Sequence, residues 1–212
     1  TALRAQMNPH FIFNAMNSIQ QFTLTNDVDN ANLYISKFSS LLRKVLHTSQ
    51  QPFVTLEEEL EQLELYLSIE SLRLQHFSYH IKVDEEIELD AVKIPGMLIQ
   101  PFVENAIKHG LSPKTGNKIL SIEIRFCETA KLQIVVEDNG IGRFAAETIR
   151  MQNEKLLPHQ SRGMQLVEER LHLFNQYAEK EKLIHIADLA DNRGNACGTR
   201  VVLNLPLTIN ET

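Results

Sequence analysis

The chain is poor in cysteine. Of its 212 residues only Cys127 and Cys197 are cysteines, far apart and outside any Cys-x-x-Cys pair or Cys/His cluster. That argues against a disulfide framework and a zinc site, and for a reducing compartment. The chain also lacks excess positive charge: 21 Lys and Arg stand against 27 Asp and Glu, a formal net charge of −6. A general nucleic-acid-binding surface is therefore not expected. No apolar run approaches the length of a membrane span, and no signal peptide is visible. Internal repeats and low-complexity segments are missing as well. What remains is ordinary globular material, 43% hydrophobic and 23% charged, enough for one large domain or two small ones. Thr1 already stands inside a helical pattern, as expected of a piece of a longer protein.

The first third reads as helix. Leu3, Met7, Phe11, Ala15, Ile19 and Phe22 recur at steps of four and three, beside a polar stripe of Gln6, His10, Asn14, Asn17 and Gln21. Thr25-Asn26-Asp27 breaks the pattern. A second helix is expected from about Asp29 to His47, with Ala31, Tyr34, Phe38, Leu41, Leu42 and Val45 on one side, giving an antiparallel hairpin. Thr55 and Glu58 form a Thr-x-x-Glu capping box. It opens a third helix, carrying Leu56, Leu60, Leu63, Leu67 and Leu74, which ends near Gln75. We place a domain boundary there, 1–75 against 76–212.

From residue 76 the pattern is mixed. His80 to Val83 is a short strand candidate. Pro95-Gly96 is expected to open a helix that Gly110 closes as a C-terminal cap. Leu120, Ile122, Ile124 and Phe126 alternate with polar residues, and Leu132, Ile134 and Val136 repeat the alternation after a turn at Glu128 to Ala130. Arg143 to Gln160 has weak periodicity and is expected to be a mobile loop or lid. Arg162 to about Tyr177 reads as helix. Leu183 to Leu189 and Thr199 to Leu205 read as a final strand pair around a turn at Asn192 to Gly198.

Five places carry residues suited to chemistry. Asp138 continues the parity of Leu132, Ile134 and Val136, so it faces the core. A carboxylate there is costly unless it is satisfied, and the exocyclic amine of adenine would satisfy it. The same Asp-Asn-Gly run is equally a common turn signal. Gly140 and Gly142 follow at once and allow a backbone to approach a ligand closely. Glu104 with Lys108, and Asn105 with His109, are four apart on the expected helix. Asn105 offers an oxygen suited to Mg²⁺, and Lys108 and His109 are suited to phosphate oxygens; a solvated charged helix face is the plainer alternative. Thr199 shares parity with Val201, Leu203 and Leu205 and puts a hydroxyl inward. His10, one helical turn before Asn14, presents an imidazole that is nucleophilic when neutral, with Asn14 placed to fix one ring nitrogen.

Taken together, Gln6 to Asn14 (QMNPHFIFN), Glu61 to Arg73 (EQLELYLSIESLR), Pro101 to Gly110 (PFVENAIKHG) and Glu137 to Gly142 (EDNGIG) resemble, in order and spacing, the LytS-type sensor histidine kinases. Gly198-Thr199 and Pro206 fit the end of that family's ATP domain. The resemblance implies an α+β protein: an N-terminal helical hairpin or bundle, then a Bergerat-type α/β sandwich, a mixed sheet covered by helices on one face. It implies ATP and Mg²⁺, with His10 as phosphoacceptor beside Asn14. Asn105 would hold the metal next to Glu104, Lys108 and His109 would meet phosphate, and Asp138 would bind adenine. Gly140, Gly142 and Gly163 would shape the nucleotide loop, with Thr199 in the pocket.

The implied partners are a response regulator receiver domain and a second copy of the chain. The implied location is the cytoplasmic side of the cell membrane, reached through segments that this chain lacks. Two departures stand out. Phe11 follows His10 where other histidine kinase families place an acidic base, so the base comes from elsewhere, Glu104 being one candidate. The second glycine box, Gly-x-Gly-Leu in the family, reads Ser161-Arg162-Gly163-Met164 and keeps only Gly163. A pseudokinase scaffold and an ATPase of the same superfold therefore stay open as alternatives.

Overall fold

The computed structural model describes residues 9–48, 51–127, 131–153 and 183–206. In chain order the elements begin α1 (Pro9–Leu24), α2 (Val28–Thr48), β1 (Phe53–Thr55), α3 (Leu56–Arg73), β2 (Phe77–Val83) and β3 (Lys93–Pro95). They continue with α4 (Gln100–Asn105), extended by a π-helical stretch Ala106–Leu111, then β4 (Lys118–Phe126), β5 (Lys131–Asp138), α5 (Arg143–Asn153), β6 (Ile184–Ala190) and β7 (Ala196–Pro206). The chain forms two compact units. One is Thr1–Gln75 with Leu89–Met97, the other His76–Glu88 with Leu98–Thr212.

The first unit is helical, and its seams follow the apolar periodicity. Ala15 on α1, then Ala31, Tyr34, Phe38, Leu41 and Val45 on α2, are buried. Phe22 meets Tyr34 with ring centroids 5.9 Å apart and tilted planes, a favourable aromatic arrangement. Between the helices Asn26 takes a φ of 56°, a left-handed conformation that Asn tolerates better than most residues. Asp27 caps the next helix, its Oδ1 accepting from the Asn30 amide at 3.3 Å.

Helix α3 starts at the capping box expected from Thr55 and Glu58. The Glu58 amide donates to Thr55 Oγ1 at 3.1 Å, and the Thr55 amide donates to Glu58 Oε2 at 3.0 Å. Leu56, Leu60, Leu63 and Leu67 are buried behind it. Two polar groups are buried with them and satisfied. Glu59 Oε2 accepts from the Met97 amide at 2.7 Å, and Thr48 Oγ1 donates to Gln62 Oε1 at 2.8 Å. Such groups cost free energy only when unpaired.

The second unit is built on a mixed sheet in the order β2-β4-β5-β7-β6. The β2–β4 pair is parallel and the others are antiparallel. Leu120, Ile122 and Ile124 on β4, Leu132, Ile134 and Val136 on β5, and Val201, Leu203 and Leu205 on β7 form one buried face. The α4 and π-helical segment supplies Phe102, Val103, Ile107 and Leu111 to the core. The α+β class expected from the sequence is the observed one.

Two segments differ from expectation. Pro95-Gly96 opens no helix: Lys93–Pro95 is a strand paired antiparallel with Phe53–Thr55, and the helix begins at Gln100. Gly110 is not its cap but sits inside the π-helical turn, which runs on to Leu111. Arg143 to Asn153 is helix rather than loop. Its apolar residues Phe144, Ile149 and Met151 are exposed, so no buried apolar stripe marks it. The helix expected from Arg162 lies outside the described residues.

Thr55→Ala removes half of the capping box and should lower the urea-unfolding stability of the helical unit by about 1 kcal/mol. Loss of less than a few tenths would show that the cap is redundant.

Candidate functional site

A cavity of about 340 Å³ opens in the second unit, within the range of small-ligand sites. The α4 and π-helical segment contributes Asn105, His109 and Gly110 to its wall. The sheet contributes Val136, Asp138, Ile186, Thr199 and Val201, and α5 contributes Arg143, Glu147 and Arg150.

Asp138 ends the buried row of β5 and is 4% exposed. Its register partner on β7 is Thr199. Burial pushes the carboxyl up to about 6, against the pull of the Gly140 and Thr199 backbone N–H groups and the Lys114 ammonium. The Gly140 amide donates to Asp138 Oδ1 at 2.7 Å. The carboxylate is tightly enclosed. A Cβ on Gly110 would lie 2.7 Å from Asp138 Oδ1, and a Cβ on Gly140 would lie 2.5 Å from the Gly110 Cα. Only glycine lets these two backbones close on the carboxylate. The Ile141 amide completes the contact by donating to the Gly110 carbonyl at 3.1 Å.

Asn139 turns away from this cluster. Its Oδ1 accepts from the Ile119 amide at 2.8 Å, and its own amide donates to the Ile119 carbonyl at 3.1 Å. Its carbonyl accepts from Lys114 Nζ. Asn139 thus pins the loop to the start of β4 and leaves Asp138 as the group aimed at the cavity. Gly142 follows with a φ of 78° on the cavity wall.

A π-helical turn carries the second half of PFVENAIKHG. Its hydrogen bonds span five residues, as in the Ser112 amide to the Ile107 carbonyl at 2.7 Å. Such turns recur at functional sites. Asn105 and His109 lie on the wall, whereas Lys108 is exposed outside it. Glu104 is half-buried, accepting from Gln100 Nε2 at 2.8 Å, and is not part of the wall. His10 and Asn14 belong to the helical unit, on α1, where the Asn14 carbonyl accepts from Ser18 Oγ at 2.9 Å. Gly163 lies outside the described residues.

The sequence reading missed the α5 wall. Arg143, Glu147 and Arg150 are spaced by four and three, one face of a helix, and that polar periodicity is the signal that marks them. Among the described residues no cluster of three His, Cys, Asp or Glu could hold a metal ion by itself. A lone amide oxygen such as that of Asn105 suits Mg²⁺, which keeps several waters and takes its other ligands from phosphate.

Comparison with known proteins agrees with the class to which this architecture points. The family model described as histidine kinase matches residues 1–77. Sensor protein LytS of Oceanobacillus iheyensis is 38% identical over 157 residues, 74% of this chain and 25% of that protein. LytS of Staphylococcus epidermidis is 35% identical over 142 residues, 66% of this chain and 23% of that protein. The sensor histidine kinase BtsS of Escherichia coli is 37% identical over 139 residues, covering 65% and 24%. The chain belongs to the LytS-type sensor histidine kinases. It spans about a quarter of the length of the curated relatives it matches.

The raised carboxyl of Asp138 sets a pH dependence. A folded-state value near 6 against 3.8 unfolded means that its stabilising contribution is full below 3.8 and is lost as pH rises through 6. At pH 7 the charged group then costs on the order of 3 kcal/mol. Asp138→Asn should therefore raise the urea-unfolding stability of the nucleotide-free protein at pH 7 and flatten its pH dependence between 4 and 6. Unchanged stability at pH 7 in this variant would show that burial does not penalise the charged carboxyl.

Proposed function

We propose that this chain is the phosphotransfer part of a sensor histidine kinase: it binds Mg-ATP in the 340 Å³ cavity and transfers the γ-phosphate to His10. The carrying observation is the meeting of Asp138, Thr199, Asn105 and His109 in that one cavity, in a chain whose first 77 residues match the histidine kinase family. Asp138 supplies a buried acceptor for the exocyclic amine of adenine, beside the Thr199 hydroxyl. Val136, Ile186 and Val201 supply apolar contact for the base. Asn105 and His109, on the opposite wall, suit the phosphates, with the Asn105 amide oxygen holding Mg²⁺. Held there, a divalent cation would supply positive charge against the phosphate oxygens.

In the transfer a ring nitrogen of neutral His10 attacks the γ-phosphorus, the bond to the bridging oxygen of ADP breaks, and ADP leaves. The imidazole loses its ring proton, and a phosphoramidate remains. Phe11 provides no base beside His10; imidazole is nucleophilic without one when its pKa lies near ambient pH. The phosphoryl group then passes to an aspartate of a response regulator receiver domain. The histidine-bearing helices ahead of the cavity separate this reading from an ATPase that releases free phosphate.

Residues 1–75 act as the dimerisation and phosphoacceptor region, and 76–212 as the ATP-binding domain. Phe13, Met16 and Leu24 lie on the side of α1 away from buried Ala15 and Ser18, and all three are exposed, as is Ile12 at the edge of that side. That apolar stripe supports pairing with a second copy. Among the described residues no helix is long and apolar enough to cross a membrane. Anchoring to the cell membrane, with the ATP site on its cytoplasmic side, falls to segments beyond this chain.

Incubation with Mg²⁺ and γ-labelled ATP should give acid-labile, alkali-stable label on wild type and none on His10→Gln, with ATP binding retained by the variant. Label persisting on His10→Gln at the wild-type rate would remove His10 as the acceptor.

A further inference from the structure

Asp138, Thr199 and Asp188 stand in one row across β5, β7 and β6. Directly opposed residues project to the same face of a sheet, so the Asp188 carboxylate stands on the cavity side. Five residues beyond Asp138 the chain reaches Arg143, the first residue of α5. Its Nε donates to Asp188 Oδ1 at 2.7 Å and its Nη2 donates to Asp188 Oδ2 at 2.6 Å. The loop 139–142 therefore passes from the end of β5 across β7 to β6. The crossing is close: a Cβ on Gly198 would lie 3.1 Å from the Asn139 Cα, and one on Gly142 would lie 2.8 Å from the Ala196 Cβ. The near end of the loop is held by Asp138 and Asn139, and the far end by the Arg143–Asp188 pair.

Among the described residues, α5 buries none of its large apolar side chains. Phe144 is 85% exposed and Met151 68%, so apolar burial contributes weakly. Yet α5 carries Glu147 and Arg150 on the cavity wall. We propose that the Arg143–Asp188 pair is a latch that fixes α5 against the cavity, making these two residues positioning residues for nucleotide affinity; the second half rests on the nucleotide reading of the cavity. Both partners are about half exposed, and an exposed pair contributes little to global stability. Its two-pronged geometry contributes orientation instead. Each partner also favours the charged form of the other: the hydrogen bond raises Arg143 and lowers Asp188 from their ordinary values. The latch acts on local opening of α5 rather than on unfolding of the sheet.

Hydrogen exchange on the intact chain without nucleotide, paired with titration by a fluorescent ATP analogue, tests both halves. Arg143→Gln and Asp188→Asn should each speed exchange of the α5 amides about fivefold, leave β4 and β5 unchanged, and weaken analogue binding by about the same factor. The exchanged pair, Arg143→Asp with Asp188→Arg, should recover both, which loss of helix structure alone would not allow. High salt should bring wild-type α5 exchange towards the single variants. Unchanged α5 exchange in the single variants overturns the latch. Faster exchange with wild-type affinity overturns its role in binding. If wild type does not bind the analogue at all, the nucleotide reading falls, and the exchange data still decide the latch.

Discussion

A carboxylate at the end of an apolar strand is the constraint around which the second unit is organised. Asp138 occupies a position where the register of β5 demands a buried side chain, so its charge must be met by donors rather than by water. The backbone amides of Gly140 and Thr199 and the charge of Lys114 meet part of the cost. Burial nonetheless pushes the carboxyl above its ordinary range, on the wall of the cavity. Perturbed titration of this kind is expected of a functional site.

The neighbouring peculiarities follow from that requirement. The loop must fold back over its own carboxylate, which brings Gly140 against Gly110. The helix carrying Gly110 must press its backbone on the same spot, and the π-helical turn lies there. Asn105 and His109 lie on the wall and Lys108 outside it. Asn139, adjacent to the ligand-facing carboxylate, is spent on clamping the loop to β4. One residue in Asp-Asn-Gly faces the cavity, the next is architecture, and the third permits the close approach of two backbones.

The helical unit uses different physics. Its seams are apolar stripes at helical spacing, and its polar residues are caps or buried pairs with complete hydrogen bonds. The outer face of α1 keeps large apolar side chains in solvent, which costs solubility unless another surface covers it. His10 belongs to this unit, while the cavity belongs to the second.

Local regularities were legible in the sequence. The three leading helices, the capping box at Thr55, the alternation of β4 and β5, and the inward parity of Asp138 all rest on interactions within a few residues, so spacing alone encodes them. The family was legible too, because its motifs are short and ordered. The short β1–β3 pairing was not, since it joins segments about forty residues apart through backbone bonds that any side chain permits. Helix α5 was hidden because its inward face is charged, and its anchor is a residue 45 positions away. Gly110 looked like a helix cap until Asp138, distant in sequence, gave it a neighbour. The sequence by itself determined the leading helices and the alternating strands β4, β5 and β7, with the face each strand buries. Tertiary structure alone decided which polar groups share the cavity, because side-chain spacing is local while strand order and loop crossings are not.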